Sequence, residues 1–386
     1  MKFDLIVAGG GAAGASLARA LRALSVAVVD ARPAPPVPGD EAWDARVYAL
    51  SPGNVAFLQE LRAWQAIPPA RLAPVHAMQV KGDRAPGVIG FDAYRAGVPE
   101  LAWIVEDREL QAALWRTLQA QDGFSAFLGV RCAGLRVEAD GVHLQLSDGR
   151  ELSADLVVGA DGSQSFIREA AGITAEPVAY GQTAVVANFS CHRPHGGVAR
   201  QWFQGGPILA LLPLPGDRVS MVWSLPEAEA HRVQSLEPAS LAAEVAAAAG
   251  GELGELELLT PPQSFPLRRF AARRLVQPGV ALVGDAAHVV HPLAGQGLNL
   301  GLQDVRVLAG VLAAREPVRK LGELRLLRRY ERARAEDVLA TGAVMHGLHT
   351  LFGSSGVALA GIRNAGLNLA DRLPVLKNLL LRHALR

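Results

Sequence analysis

The residues with the most chemical content lie in one stretch, 280–304, which reads VALVGDAAHVVHPLAGQGLNLGLQD. Val280–Val283 is an apolar run of strand length, and Gly284-Asp285 ends it. An Asp at the carboxyl end of a strand points out of the sheet edge, where it can bond a ligand hydroxyl. His291 and Pro292 follow, then Gly295, Gln296 and Gly297. Pro292 stiffens the turn, and the two glycines let the backbone approach a ligand closely. Leu298–Ala314 carries helical apolar spacing, with Asn299 at its start and Asp304 on its polar side. Amides at the start of such a helix form a positive dipole end, suited to a delocalised anion or a ring carbonyl.

A second constellation opens the chain. Phe3–Ala8 reads as a strand, and Gly9-Gly10-Gly11-Ala12-Ala13-Gly14 leads into a helix ending near Ala23. Val26–Val29 is the next strand, closed by Asp30, 16 residues after Gly14. In that context Gly9-x-Gly11-x-x-Gly14 is a dinucleotide fingerprint. Gly9 permits the tight turn, Gly11 admits a pyrophosphate, and Gly14 lets helix meet strand. Asp30 is placed to bond adenosine ribose hydroxyls. The fingerprint fits NAD and FAD equally.

Other candidates stand alone. Arg46 lies in Trp43–Ser51, before a helical pattern reaching Trp64. Arg108 falls in the first turn of a helix within Ile104–Leu118, capped by Glu106 or Asp107. A cation there opposes the helix dipole and needs an anionic partner. Leu156–Gly159 is a buried strand leading to Ala160-Asp161-Gly162, with Ser165 and Arg168 on the following helix. An Asx-turn with a helix cap accounts for the same residues.

These motifs resemble one family. GDAAH followed by HPLAGQGLNLGLQD is similar to the signature of the FAD-dependent hydroxylases of ubiquinone biosynthesis. DARVYALS resembles the family's short Arg motif, and GADGSQSFIR its Asp-Gly motif. The fingerprint, Asp161-Gly162 and Gly284-Asp285 occur in the family order, and the resemblance runs along the whole chain. It implies the fold of the p-hydroxybenzoate hydroxylase type: a Rossmann-like α/β FAD domain interleaved with an α+β antiparallel-sheet substrate domain, and a helical C-terminus. It implies that Asp285 binds the ribityl chain and that the 295–299 backbone, with Gly297 and Leu298, faces the isoalloxazine ring beside Pro292. Arg46 would lie by the flavin, and Arg108 by an FAD phosphate. Gly284, Ala12, Ala13, Val130, Asp161, Gly162 and Arg168 would complete the cofactor site. The implied reaction is aromatic hydroxylation. NAD(P)H reduces FAD while bound only transiently, O2 adds at flavin C4a, and the terminal hydroperoxide oxygen attacks an electron-rich phenol. The implied substrate is a polyprenylated phenol, handled within a ubiquinone-biosynthesis complex. No side-chain base is assigned.

Composition bounds these readings. The chain has 386 residues, 50% hydrophobic and 19% charged, enough for two intertwined cores. Net charge is +1 with both signs interspersed, which argues against nucleic acid. Cys132 and Cys191 lack metal or redox spacing and read as buried thiols of a reducing compartment. Cys191-His192-Arg193-Pro194-His195 matches no tetrahedral metal site, so no metal is expected. No signal peptide and no spanning run of about 18 apolar residues is visible, so a cytoplasmic chain is expected.

Pro68, Pro69, Pro74, Pro86 and Pro99 break helices over 68–100, and short strands dominate 179–264. The FAD domain is therefore placed at 1–73, 100–178 and 265–352, the substrate domain at 74–99 and 179–264, and a helical segment at 353–386. Leu321–Met345 reads as a long helix whose Arg325, Arg328, Arg329 and Arg332 form a solvated face with interleaved Glu. The tail 364–386 mixes Leu with Arg and Lys. It either packs on the FAD domain or lies on the surface of the inner membrane. Three alternatives stay open: a soluble aromatic-acid hydroxylase, a non-catalytic FAD-bearing member of a complex, and a nicotinamide-only dehydrogenase.

Overall fold

Three sheets divide the chain in the computed structural model, which describes residues 1–39, 42–82, 88–290 and 296–335. The first is built on Lys2–Ala8. Its LIVA core is buried on both faces, as a central parallel strand requires. It pairs in parallel with Val26–Asp30 on one side and Glu151–Gly159 on the other. Phe124–Leu128 extends the sheet beyond Val26–Asp30, and Val280–Leu282 extends it beyond Glu151–Gly159, both in parallel. The Cys132–Glu138 and Gly141–Leu146 hairpin adds to it antiparallel. The helices Ala12–Ala20, Asp107–Gln119 and Gln296–Ala313 pack together beside this sheet.

All the ligand-edge residues expected from the sequence follow carboxyl ends of these strands. Gly9 follows Lys2–Ala8, Asp30 ends its strand, Asp161 follows Glu151–Gly159, and Asp285 follows Val280–Leu282. In an open parallel sheet this edge is where ligands sit.

The second sheet has nine strands and is almost wholly antiparallel. Its spine is Val178–Cys191, flanked by Arg218–Pro226 and Gln263–Ala271. Ile208–Leu214, Val198–Phe203, Ala77–Lys81 and Val88–Asp92 continue it outward. One face buries Val185, Ala187, Phe189, Leu209, Met221 and Leu225 against helices Glu227–Gln234 and Pro238–Ala248. The first of these helices was not expected from the sequence. Gln263–Ala271 and the short strand His288–Val289 also belong to this sheet, so the chain stays in it past position 265. A third sheet of Val47–Leu50, Ala102–Glu106 and Leu72–Val75 joins the other two.

Glu106 ends a strand rather than capping a helix with its side chain, and the helix begins at Asp107. Helical turns resume over 324–335, and the expected continuation to Met345 lies outside the described residues, as does 353–386. Cys191 is buried and Cys132 half-buried, and burial pushes the Cys132 thiol up to about 12. No described helix is long and apolar enough to cross a membrane.

Candidate active site

Asp285 sits on a one-turn helix, Gly284–Ala286, directly after its strand. Its side chain is open to solvent, yet protein surrounds it deeply enough that desolvation raises its pKa. A carboxylate on the floor of a cleft has both properties. It accepts no hydrogen bond from any described residue. An accessible acceptor held this way fits a ligand that brings hydroxyl donors.

Gly9 has φ +102°, and a Cβ there would lie 2.2 Å from the Ala160 carbonyl oxygen. The two strand ends can approach only because Gly9 has no side chain. A Cβ on Gly14 would fall 1.9 Å from the Gly9 oxygen, so helix and loop also need that glycine. Gly11 is different: a Cβ there would meet nothing nearer than Arg32 Nη2 at 3.8 Å. Its open side is where a pyrophosphate would lie. Gly10, unassigned from the sequence, is closed, since Trp115 would lie 2.6 Å from its Cβ and the indole donates to its carbonyl at 2.8 Å.

Asp30 Oδ2 accepts from the Gly10 amide at 2.7 Å, and Oδ1 accepts from the Arg32 amide at 2.8 Å. Burial would raise its pKa, but the Arg32 side chain and these two amides outweigh that and lower it. Asp30 therefore shapes the glycine loop as an anion. Ala12 and Ala13 start the helix behind the loop, and Val130 N donates to the Asp30 carbonyl at 3.3 Å.

Arg46 is near enough to Asp285 for the carboxylate to act on its charge. Its Nη1 is 3.9 Å from Asp107 Oδ2, and its guanidinium lies over the Tyr48 ring at 5.4 Å and the Phe265 ring at 6.0 Å. Burial would lower its pKa, but Tyr48, Asp107, Asp285 and Asp44 overcome that. Arg108 finds the anionic partners its position demanded. Nη2 is 3.5 Å from Glu106 Oε1, and Nε is 3.9 Å from Glu109 Oε1. Neither nitrogen makes a hydrogen bond, and a quarter of the side chain remains exposed. Glu106 is fully buried, and desolvation raises its pKa against the Asp44 amide and Arg71 that bind it.

The Asp-Gly motif is folded in on itself. Asp161 accepts from the Ser165 hydroxyl and from the Ile167 amide at 3.2 Å. Ser165 caps the Phe166–Ala170 helix. Gly162 has φ +84°. Arg168 Nη1 donates to the Ala286 carbonyl at 2.9 Å and Nη2 to Ser163 at 2.8 Å, with its guanidinium stacked on Phe270. Arg168 thus braces the turn that carries Asp285.

Pro292 and Gly295 lie outside the described residues, and Gln296 enters only as the first residue of its helix. Gly297 is open, with nothing within 4 Å of a Cβ built on it, and Leu298 is half-buried beside it. The Asn299 side chain is fully engaged. Its Oδ1 accepts from Ser51 N and Asn54 Nδ2, both at 2.9 Å, and its Nδ2 donates to Ala49 O at 2.8 Å. Its backbone oxygen accepts from Asn54 Nδ2 at 3.2 Å.

The roof is the second sheet. Directly paired residues share a face. One row runs Phe203, Ile208, Ser224, Ala184, Phe265, and the next Gln201, Ala210, Val222, Val186, Gln263. Phe265 is the ring against Arg46, so this face looks onto the cleft. Neither row carries a charged side chain.

With this geometry, known proteins are informative. A family model described as an FAD binding domain matches residues 2–342. A 3-demethoxyubiquinol 3-hydroxylase of Escherichia coli (strain K12) is 35% identical over 99% of this chain and 98% of its own. The chain belongs to the FAD-dependent hydroxylases of ubiquinone biosynthesis. Ubiquinone hydroxylase UbiL of Rhodospirillum rubrum is 34% identical over 99% of this chain and 89% of that one. Klebsiella pneumoniae HpxO, solved with FAD and uric acid, has the same fold at a TM-score of 0.77 and 21% identity, covering 100% of this chain and 97% of that one. This hydroxylase is thus an enzyme that uses FAD to hydroxylate an aromatic ring.

The sequence reading missed how the hydroxylase holds its Asp285 turn. Asp304 is fully buried and accepts from Gly284 N at 2.9 Å, His288 Nε2 at 2.8 Å and Arg334 Nε at 2.7 Å. Arg334, to which the sequence reading gave no role, is 1% exposed. A signal existed: Leu327, Tyr330 and Arg334 stand at i, i+3 and i+7, so the arginine falls on the apolar stripe.

Proposed function

We propose that this hydroxylase acts on a polyprenylated phenol of the ubiquinone pathway, with O2 as oxygen source and NAD(P)H as a transient reductant. One oxygen atom enters the ring as a hydroxyl, and the other leaves as water. The two electrons come from NAD(P)H, with a proton from solvent. FAD, when bound, supplies the activation of O2.

The observation that supports the substrate class is the apolar cleft face of the second sheet. An aromatic acid would need a cation to offset the burial of its carboxylate, and the sheet rows supply none, while Arg46 against Phe265 is drawn to Asp107 at 3.9 Å. The two rows above the cleft offer Gln201, Gln263 and Ser224 as their polar side chains, with alkyl and phenyl groups around them. A prenyl chain gains about 0.8 kcal/mol per buried CH2 on such a surface.

The chain's own residues divide the remaining work. Asp285 would accept from ribityl hydroxyls, and Asp30 from ribose hydroxyls. The Gly9, Gly11 and Gly14 loop admits the pyrophosphate, with Arg108 at a phosphate and Arg46 beside the flavin. The backbone amides of Gly297, Leu298 and Asn299 would meet the flavin ring, where they would stabilise the negative charge that accumulates on it. Asp161, Gly162 and Arg168 support this arrangement from behind. The sheet above excludes water from the reacting ring. The tail 364–386 holds the enzyme at an anionic membrane surface, where its substrate dissolves, with each basic residue contributing about 1 kcal/mol.

The test is complementation of strains each blocked at one ring hydroxylation of the ubiquinone pathway, with quinone intermediates identified by mass spectrometry. Restoration of quinone in at least one strain supports the reading. Failure in all of them, with the flavoprotein expressed, overturns it.

A further inference from the structure

The turn that presents Asp285 is held by three ionisable side chains buried behind it. Asp304 is 0% exposed, Arg334 1% and His288 3%. Each lies on a different element. Asp304 projects from the helix Gln296–Ala313, Arg334 from the turns over 324–335, and His288 from a short strand of the second sheet. One carboxylate receives both of the others and the Gly284 amide as well.

Bulk stability does not account for this. Buried ionic groups are often no more stabilising than apolar residues of the same volume, because desolvation cancels much of their attraction. A carboxylate with three directional donors does fix geometry. It sets the Gly284 amide against the helix Gln296–Ala313, and so sets Asp285 against the start of that helix. Two further contacts share the function. Gly301 comes so close that a Cβ on it would lie 3.2 Å from the Gly284 Cα, and the Tyr330 hydroxyl donates to the Leu282 carbonyl at 2.8 Å.

We propose that Asp304, with His288 and Arg334, is a positioning residue for the flavin cofactor: it fixes the distance between the Asp285 carboxylate and the amides that open the helix Gln296–Ala313. The inference rests on the reading of Asp285 as the ribityl acceptor. Arg334 makes the site dependent on the segment over 324–335.

The experiment is a double-mutant cycle read as FAD release. Holoenzyme is diluted stepwise, and free FAD is measured by its fluorescence, with circular dichroism as the check on folding. Asp285→Ala weakens FAD about tenfold, and so does Asp304→Asn, each losing charge-assisted bonds. The double variant Asp285→Ala/Asp304→Asn is within about threefold of Asp285→Ala alone, because Asp304 acts through Asp285. Arg334→Lys retains most of the affinity that Arg334→Met loses. A double variant weakened by the product of the two single effects overturns the inference, as does wild-type retention of FAD by Asp304→Asn. Wild-type retention by Asp285→Ala overturns the ribityl reading itself and the inference with it. If Asp304→Asn yields no folded protein, the cycle with His288→Gln decides by the same criterion.

Discussion

Replacing Asn299 tests whether the helix Gln296–Ala313, proposed to face the flavin, is registered by its side chain. Asn299 is 2% exposed and joins that helix to Ala49, Ser51 and Asn54. In Asn299→Ala the Ser51 amide loses its acceptor, and the Ala49 carbonyl loses a donor. Asn54 is less affected, since its Nδ2 keeps Ser51 Oγ at 3.0 Å and the Asn299 backbone oxygen at 3.2 Å. Two buried groups left unpaired cost about 1–3 kcal/mol each, so the loss is roughly 2–6 kcal/mol. That is a large share of an ordinary stability of about 5–15 kcal/mol. Urea unfolding at fixed FAD reads it as a lower midpoint with unchanged slope. Asn299→Asp supplies the control. Its carboxyl still accepts from Ser51 but faces the Ala49 oxygen, which raises its folded pKa above the unfolded value of about 3.9. Such a group favours the folded state below that value and loses the advantage as pH rises through the folded pKa. Asn299→Asp should therefore lie nearer wild type at about pH 5 than at about pH 7. A loss under about 1 kcal/mol for Asn299→Ala, or no pH dependence for Asn299→Asp, would refute the reasoning.

Three further outcomes are expected. Gly297→Val meets no protein atom within 4 Å of its Cβ, so the protein folds and loses hydroxylation through contact with the flavin, and a fully active variant would remove this loop from the ring. Burial would lower the His288 pKa, but Asp304 raises it, so its contribution is present below about pH 6.5 and lost as pH rises through the folded value; the alkaline decline in melting temperature should be shallower in His288→Gln, and an unchanged profile would assign that decline elsewhere. Deleting 364–386 reduces liposome binding and activity on long-chain substrates while sparing FAD content, and loss of FAD would place the tail in the core.

The placement of Gly9, Asp30, Asp161 and Asp285 at the ends of parallel strands was legible because the fold writes it locally. Gly9, Gly11 and Gly14 stand at fixed offsets between one strand and one helix, and Asp285 follows its own strand directly. Backbone turns of this kind depend on neighbours a few residues away. The bracing network was not legible, because its partners are distant in sequence. Arg168 meets Ala286, Asn299 meets Ser51, and Arg334 meets Asp304. Alternation of Arg and Glu in 323–334 marks a polar helix, but only the spacing from Leu327 and Tyr330 separates Arg334 from its exposed neighbours. Arg108 shows the middle case. Its position against the dipole demanded an anion, and Glu106 and Glu109 stand nearby, yet no local rule shows that the buried Arg71 shares them. The helix Glu227–Gln234 was missed because its apolar contribution is small, with Ala230 and Val233 as its buried residues.

The most direct test is the mass of the product. Purified holoenzyme is given NAD(P)H, isotopically heavy O2 and a series of phenols differing in prenyl length, beside matched aromatic acids. The account predicts one heavy oxygen in the ring of the product, matched by NAD(P)H consumption, with turnover rising as the prenyl chain lengthens. Hydroxylation confined to the aromatic acids, or NAD(P)H oxidation that yields only hydrogen peroxide with every phenol, would contradict it.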